Sequence, residues 1–139
     1  MEKALPEDIH FYFNQLQRLS CDLLLLSETD APFEIIWFTV EQKDFLAALK
    51  REGLIKRQQE VKEVSLWDFF KNYIEPQDWD TEEDKKIRAR FSELYSFFST
   101  HLEQSKVFRV GKIEITIFIL GFVPGTQVLL GLKSLLVET

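Results

Sequence analysis

Ile113-Glu-Ile-Thr-Ile-Phe-Ile-Leu-Gly-Phe-Val-Pro-Gly-Thr-Gln-Val-Leu-Leu-Gly-Leu-Lys-Ser-Leu-Leu-Val-Glu-Thr139 is the stretch on which the fold turns. From Ile115 to Leu132 it holds eighteen residues without a charge, the length at which an apolar helix first spans a bilayer. Two features argue against that reading. Pro124-Gly125 divides the run, and before it Ile113, Ile115, Ile117 and Ile119 recur with a period of two, which is strand spacing. Two buried strands around a turn account for both. Val107-Phe-Arg-Val110 precedes them across Gly111-Lys112, a two-residue turn signal, and Val128 to Val137 follows, interrupted by Gly131. The expectation is a C-terminal meander of three antiparallel strands.

Upstream, helical spacing takes over. Pro6-Glu-Asp8 suits a first helical turn, where Pro lacks no needed donor and acids meet the positive end of the dipole. Ile9, Phe13, Leu16, Leu19 and Leu23 then predict a helix to about Leu24. Polar Ser27-Glu-Thr-Asp30 stops the apolar run, and Pro32 restricts the backbone on both sides, so a loop is expected. Phe33 to Val40 is β-branched and aromatic and reads as a fourth strand of the same sheet. Glu41 to Glu52 reads as a helix closed by Gly53, and Lys56 to Lys62 as a loop or the start of an exposed strand. Ser65-Leu-Trp-Asp68 has the spacing of a helix cap, with Leu66, Phe69, Phe70 and Tyr73 as the apolar side, and Pro76 ends that helix. Trp37 and Trp67 are expected in the core. Thr81-Glu-Glu-Asp84 opens the longest helix, residues 82 to 103, on a stripe of Ile87, Phe91, Leu94, Phe98 and Leu102. The class is α+β: a mainly antiparallel sheet with flanking helices, in one domain over residues 1–139.

Charge is localised. Glu75 to Asp84 carries six carboxylates and no base, and the whole chain, with 17 Lys and Arg against 23 Asp and Glu, is also −6, so the remainder sums to zero. That balance argues against direct nucleic-acid binding, which needs surplus Lys and Arg. A single cysteine, Cys21, excludes an intrachain disulfide and reads as a small buried hydrophobe beside a leucine run. His10 and His101 stand apart with no metal-ligand spacing, and the five glycines never take a phosphate-loop pattern. No acid–base pair or triad is legible, so an enzyme is not expected. Met1 to Asp8 lacks a basic start followed by an apolar run, so the expected address is the cytoplasm.

Three blocks carry a resemblance: Leu24-Leu-Leu-Ser-Glu-Thr-Asp-Ala-Pro-Phe-Glu34; Phe69-Phe with Pro76-Gln-Asp-Trp79; and Val107-Phe-Arg-Val-Gly-Lys-Ile-Glu-Ile-Thr116 with the ending Leu136-Val-Glu-Thr139. In order and spacing they resemble the nuclease A inhibitor family, from about Leu19 onward and least at residues 41–62. The resemblance implies an acidic α/β/α sandwich that binds and blocks a sugar-non-specific, Mg²⁺-dependent nuclease; a monomer or a 1:1 complex with that partner is the expected state. It implies three contact residues, Glu28, Trp79 and Thr139, the last with terminal oxygens that would reach the partner's Mg²⁺; their neighbours Thr29, Asp78, Asp80 and Glu138 are expected in the same contact surface. Under it the chain needs no cofactor of its own and no membrane. Carboxylate and hydroxyl oxygens are hard ligands suited to that ion.

Blander readings stand beside these. Glu82, Glu83 and Asp84 suit a helix start, where each acid contributes about 0.3–1 kcal/mol. Glu28 alone would be a solvated loop acid, and Thr139 alone a frayed end. Trp79 in a polar loop is either a lid on the core or an interface anchor. The competing function is an acidic module for an unrelated basic partner.

Overall fold

The computed structural model describes residues 7–40 and 44–138. Helix α1 spans Glu7–Ser20; strands β1 (Leu24–Leu26), β2 (Asp30–Pro32) and β3 (Glu34–Thr39) follow. Next come α2 (Phe45–Arg51), β4 (Val61–Val64), α3 (Leu66–Ile74) and α4 (Glu82–Thr100), and the chain closes with β5 (Glu103–Val110), β6 (Glu114–Phe122) and β7 (Val128–Val137). The main sheet has the order β3-β7-β6-β5-β4, antiparallel throughout, and β1-β2 forms a separate two-stranded ribbon.

The uncharged run is therefore sheet. Central strand β6 alternates cleanly: Ile115, Ile117 and Ile119 enter one core, and Phe118, Leu120 and Phe122 enter the other. A strand covered on both faces has no solvent side to mark with polar residues, which is why its hydropathy imitates a membrane span. Among the described residues, no helix is long and apolar enough to cross a membrane. The larger core lies under α1, α3 and α4, with Leu16, Phe70, Phe91, Leu94 and Phe98 at its centre. The smaller one lies under α2, where Phe45 packs on Phe108 and Phe122 at ring separations of 5.7 and 5.2 Å. Helices on both faces make an α/β/α sandwich around an antiparallel sheet.

Several expectations need correction. Helix α1 ends at Ser20 rather than near Leu24. Ser20 Oγ bonds back to the Leu16 carbonyl at 2.8 Å and Asp22 takes φ 60, so the chain leaves the helix before Leu23. Cys21 is exposed at this turn rather than buried. The segment expected to be a loop before Phe33 contains the β1-β2 ribbon. Helix α2 begins at Phe45, after the N-cap Asp44, and the expected residues 41–43 lie outside the described ones. Helix α4 stops at Thr100, and β5 begins at Glu103, with a bulge where Gln104 takes φ 56. The β5–β6 loop has three residues, not two: Gly111 turns at φ 112, and Ile113 falls off the strand, 59% exposed. Gly131 does not interrupt β7. It pairs with Leu120 and Ile36, and a Cβ there would stand 1.8 Å from the Ile119 carbonyl oxygen, so only glycine fits. Trp37 is half-buried against the larger core, whereas Trp67 is exposed and meets Tyr95 edge-on at 5.4 Å.

Candidate functional site

The β1-β2 ribbon has three residues per strand and presents Ser27-Glu28-Thr29 at its tip. Ser27 organises that tip. Its Oγ donates to the Thr29 carbonyl at 3.1 Å and accepts from Thr29 N at 3.4 Å. The same oxygen accepts from Val137 N at 3.0 Å, and Glu28 N donates to the Val137 carbonyl at 3.4 Å. The tip is thus sewn to the last residue of β7. Lower down, the buried Ser134 hydroxyl donates to the Pro32 carbonyl at 2.9 Å and lies 3.3 Å from that of Ala31. Two serines thereby dock the ribbon on the end of the sheet.

This docking makes neighbours of Glu28 and Glu138, which line one shallow depression with Leu26, Tyr73 and Leu136. Glu138 is directed by two contacts. Its N–H donates to the Ile113 carbonyl at 2.9 Å, and Arg109, reaching over from β5, donates through Nη2 to both carboxylate oxygens at 2.9 Å. Burial pushes the Tyr73 phenol above its ordinary value; nearby Arg109 works against that shift and Glu138 with it. Tyr73 therefore stays a protonated donor at neutral pH.

Tyr73 and Leu26 also line an adjoining groove, continued by Asn72, Asp84, Ile87 and Arg88. Arg88 leads to the third predicted place. It donates from Nε to Asp80 Oδ2 at 2.6 Å and from Nη2 to Asp80 Oδ1 at 3.1 Å. The same Oδ2 accepts from Gln77 N at 2.9 Å, and Asp80 N donates to the Gln77 carbonyl at 3.1 Å. Gln77 to Asp80 is thus a doubly closed turn with Asp78 and Trp79 at its tip. Trp79 is 77% exposed, too open to be a lid on the core. Asp80 is the opposite case: its side chain is 2% exposed and committed to Arg88, whereas Asp78 faces solvent. The acids that follow belong to α4. Thr81 and Asp84 form a reciprocal capping box, and Glu82 and Glu83 pair with Lys85 and Lys86 at 3.2 and 3.6 Å.

Glu28 and Glu138 thus share one depression, Tyr73 and Leu26 continue from it into a groove that Arg88 also lines, and Arg88 in turn binds Asp80 in the Trp79 turn. Thr139 lies outside the described residues. The sequence reading missed Leu26, Tyr73, Ile87, Arg88 and Arg109. Leu26 and Ile87 are exposed apolar residues at 50% and 37%, and their only trace in the sequence is membership of apolar runs that also supply core. Among the described residues, no three His, Cys, Asp or Glu side chains converge as a metal site.

No curated protein matches the chain. Residues 11–139, nearly the whole chain, match the family described as nuclease A inhibitor-like protein. The match covers well over half of the chain and agrees with its α/β/α sandwich: the chain belongs to the nuclease A inhibitor-like family.

Proposed function

We propose that this chain inhibits a sugar-non-specific, Mg²⁺-dependent nuclease by covering its active site with the face that carries Glu28, Trp79 and Glu138. The observation that supports this most is the bond from Val137 N to Ser27 Oγ at 3.0 Å, because it brings two blocks over a hundred residues apart to one rim. A nuclease cleft is built to receive phosphate, so it offers cations and a metal with open positions. Carboxylates from Glu28 and Glu138 suit the cations. In a chain that ends at Thr139, the terminal carboxylate and the hydroxyl of that residue would suit the Mg²⁺, which belongs to the partner. Trp79 supplies the apolar anchor, a residue type that dominates interface energetics. Asp78 and Thr29 border these contacts, and Asp80 contributes through the turn it holds.

The test is a titration of nuclease activity on DNA in Mg²⁺ with the chain ending at Thr139. Stoichiometric loss of activity is expected. Full activity at several-fold excess would refute the reading for that nuclease. In the same assay, a chain extended beyond Thr139 should inhibit less than Glu28→Ala does; unchanged inhibition by the extended chain would remove the metal contact. A pull-down that captures basic proteins but no nuclease would favour the acidic-module alternative.

A further inference from the structure

Trp79 has almost no packing of its own, so something else must decide where its ring points. The candidates are on its two flanks. Upstream, Glu75 N donates to the Lys71 carbonyl at 2.9 Å, which closes α3, and Pro76 limits the next φ. Downstream, Thr81 N donates to Asp84 Oδ2 at 3.0 Å inside the capping box. Both bonds hold the ends of the connection and neither reaches the tip. The tip is held from Asp80, and Asp80 is held from Arg88.

Arg88 lies in the second turn of α4 and reaches back across the connection. Its Nε and Nη2 grip both Asp80 oxygens, and Nη1 lies 3.4 Å from the Asn72 carbonyl in α3. One guanidinium therefore ties the end of α3, the α3–α4 turn and the body of α4. A planar fork can hold a carboxylate in one orientation, which a lysine ammonium cannot. The pair spans eight residues and no common helix, so it is not an incidental helix-surface contact. Asp80, almost wholly covered, has little surface left to offer a partner.

We infer that Arg88 is a positioning residue: through Asp80 it holds the Gln77–Asp80 turn so that Trp79 is presented already ordered to the partner. This deepens the inhibitor reading and, for its effect on affinity, rests on it. An anchor that is ordered beforehand avoids the entropy cost of fixing it on binding. Freeing the turn should therefore weaken binding through the ring, while Glu28, Trp79 and Glu138 all remain in place.

The experiment is a double-mutant cycle on inhibition of the nuclease, joined to NMR relaxation of the Trp79 indole and the Asp78 and Trp79 amides in the free protein. Trp79→Ala should weaken inhibition about thirtyfold, as expected of an aromatic hot spot. Arg88→Gln should weaken it roughly threefold to tenfold, the scale of ordering one side chain and its loop. In the Trp79→Ala background, Arg88→Gln should add nothing, because its effect passes through the ring. Additive losses would overturn the inference, since a merely structural role moves both backgrounds alike. Arg88→Gln should also increase fast motion of the Trp79 indole, and unchanged relaxation would overturn the inference on its own. If the unaltered protein fails to inhibit, the nuclease reading falls and the relaxation arm alone decides the positioning role. If Arg88→Gln does not fold, Asp80→Asn carries the same cycle.

Discussion

Asp80 concentrates the local chemistry of the Trp79 turn, because three donors converge on one carboxylate: Arg88 Nε, Arg88 Nη2 and Gln77 N. The hydrogen bonds from Arg88, then the one from Gln77, hold this carboxyl below the usual carboxylate range, against a smaller opposing effect of burial. Arg88 and Lys85 supply the nearby positive charge, and Asp84 faces Arg88 from the helix start. The direction sets a sign. With a folded pKa below the unfolded one of about 3.9, the contribution of Asp80 is present above that value and is lost as pH falls through the folded one. The turn should therefore keep its order from neutral pH down to about pH 4 and open only below it. An acid titration of the Trp79 indole resonance checks this, with Asp80→Asn as the control that lacks the acid step. Opening near pH 6 would mean that some other group holds the turn. Residue type and spacing announced Trp79 and its acids, but not which acid is a strut. Asp78 and Asp80 read alike in one dimension, and only the approach of Arg88 from α4 separates them.

The element that assembles the site is the β1-β2 ribbon, and it is too small to stand alone. Two strands of three residues are marginal in water, so the ribbon depends on what docks it. Ser134→Ala removes the donor to the Pro32 carbonyl and should cost about 1 kcal/mol of stability. It should also speed amide exchange at the Ser27–Thr29 tip more than in the centre of β6. Denaturant unfolding and hydrogen exchange measure the two effects; equal protection at the tip before and after would show that Ser27 suffices. This ribbon was hidden in the sequence because three-residue strands carry no periodicity, and polar Ser27 to Asp30 with Pro32 has the composition of a loop. By contrast, Thr81 and Asp84 announced the start of α4, and the capping box forms as its spacing requires. Trp67 was misread: its place in an amphipathic helix suggested the core, and the structure leaves it 42% exposed against Tyr95.

At the scale of the whole molecule, the net charge of −6 bears on encounter. Under the proposed function, a chain of this charge approaching a cleft made for phosphate should associate faster at low salt, with the rate falling roughly tenfold between about 0.05 and 0.5 M while dissociation changes little. Stopped-flow association at a series of salt concentrations tests this, and a flat series would remove the steering role of the acidic stretch. What the sequence by itself determined is the scaffold: the isoleucines at period two, the Pro124-Gly125 turn and the helical stripes each follow from local spacing, and local spacing survives without knowledge of the fold. Tertiary structure alone decided that Glu28 sits beside Glu138, that Arg88 holds the Trp79 turn, and that Tyr73 and Leu26 continue from the depression into the groove that Arg88 also lines. Those relations link residues as far apart as Ser27 and Val137 through single hydrogen bonds. Such a bond leaves no periodic trace along the chain, because it depends on where the sheet and helices bring their ends together.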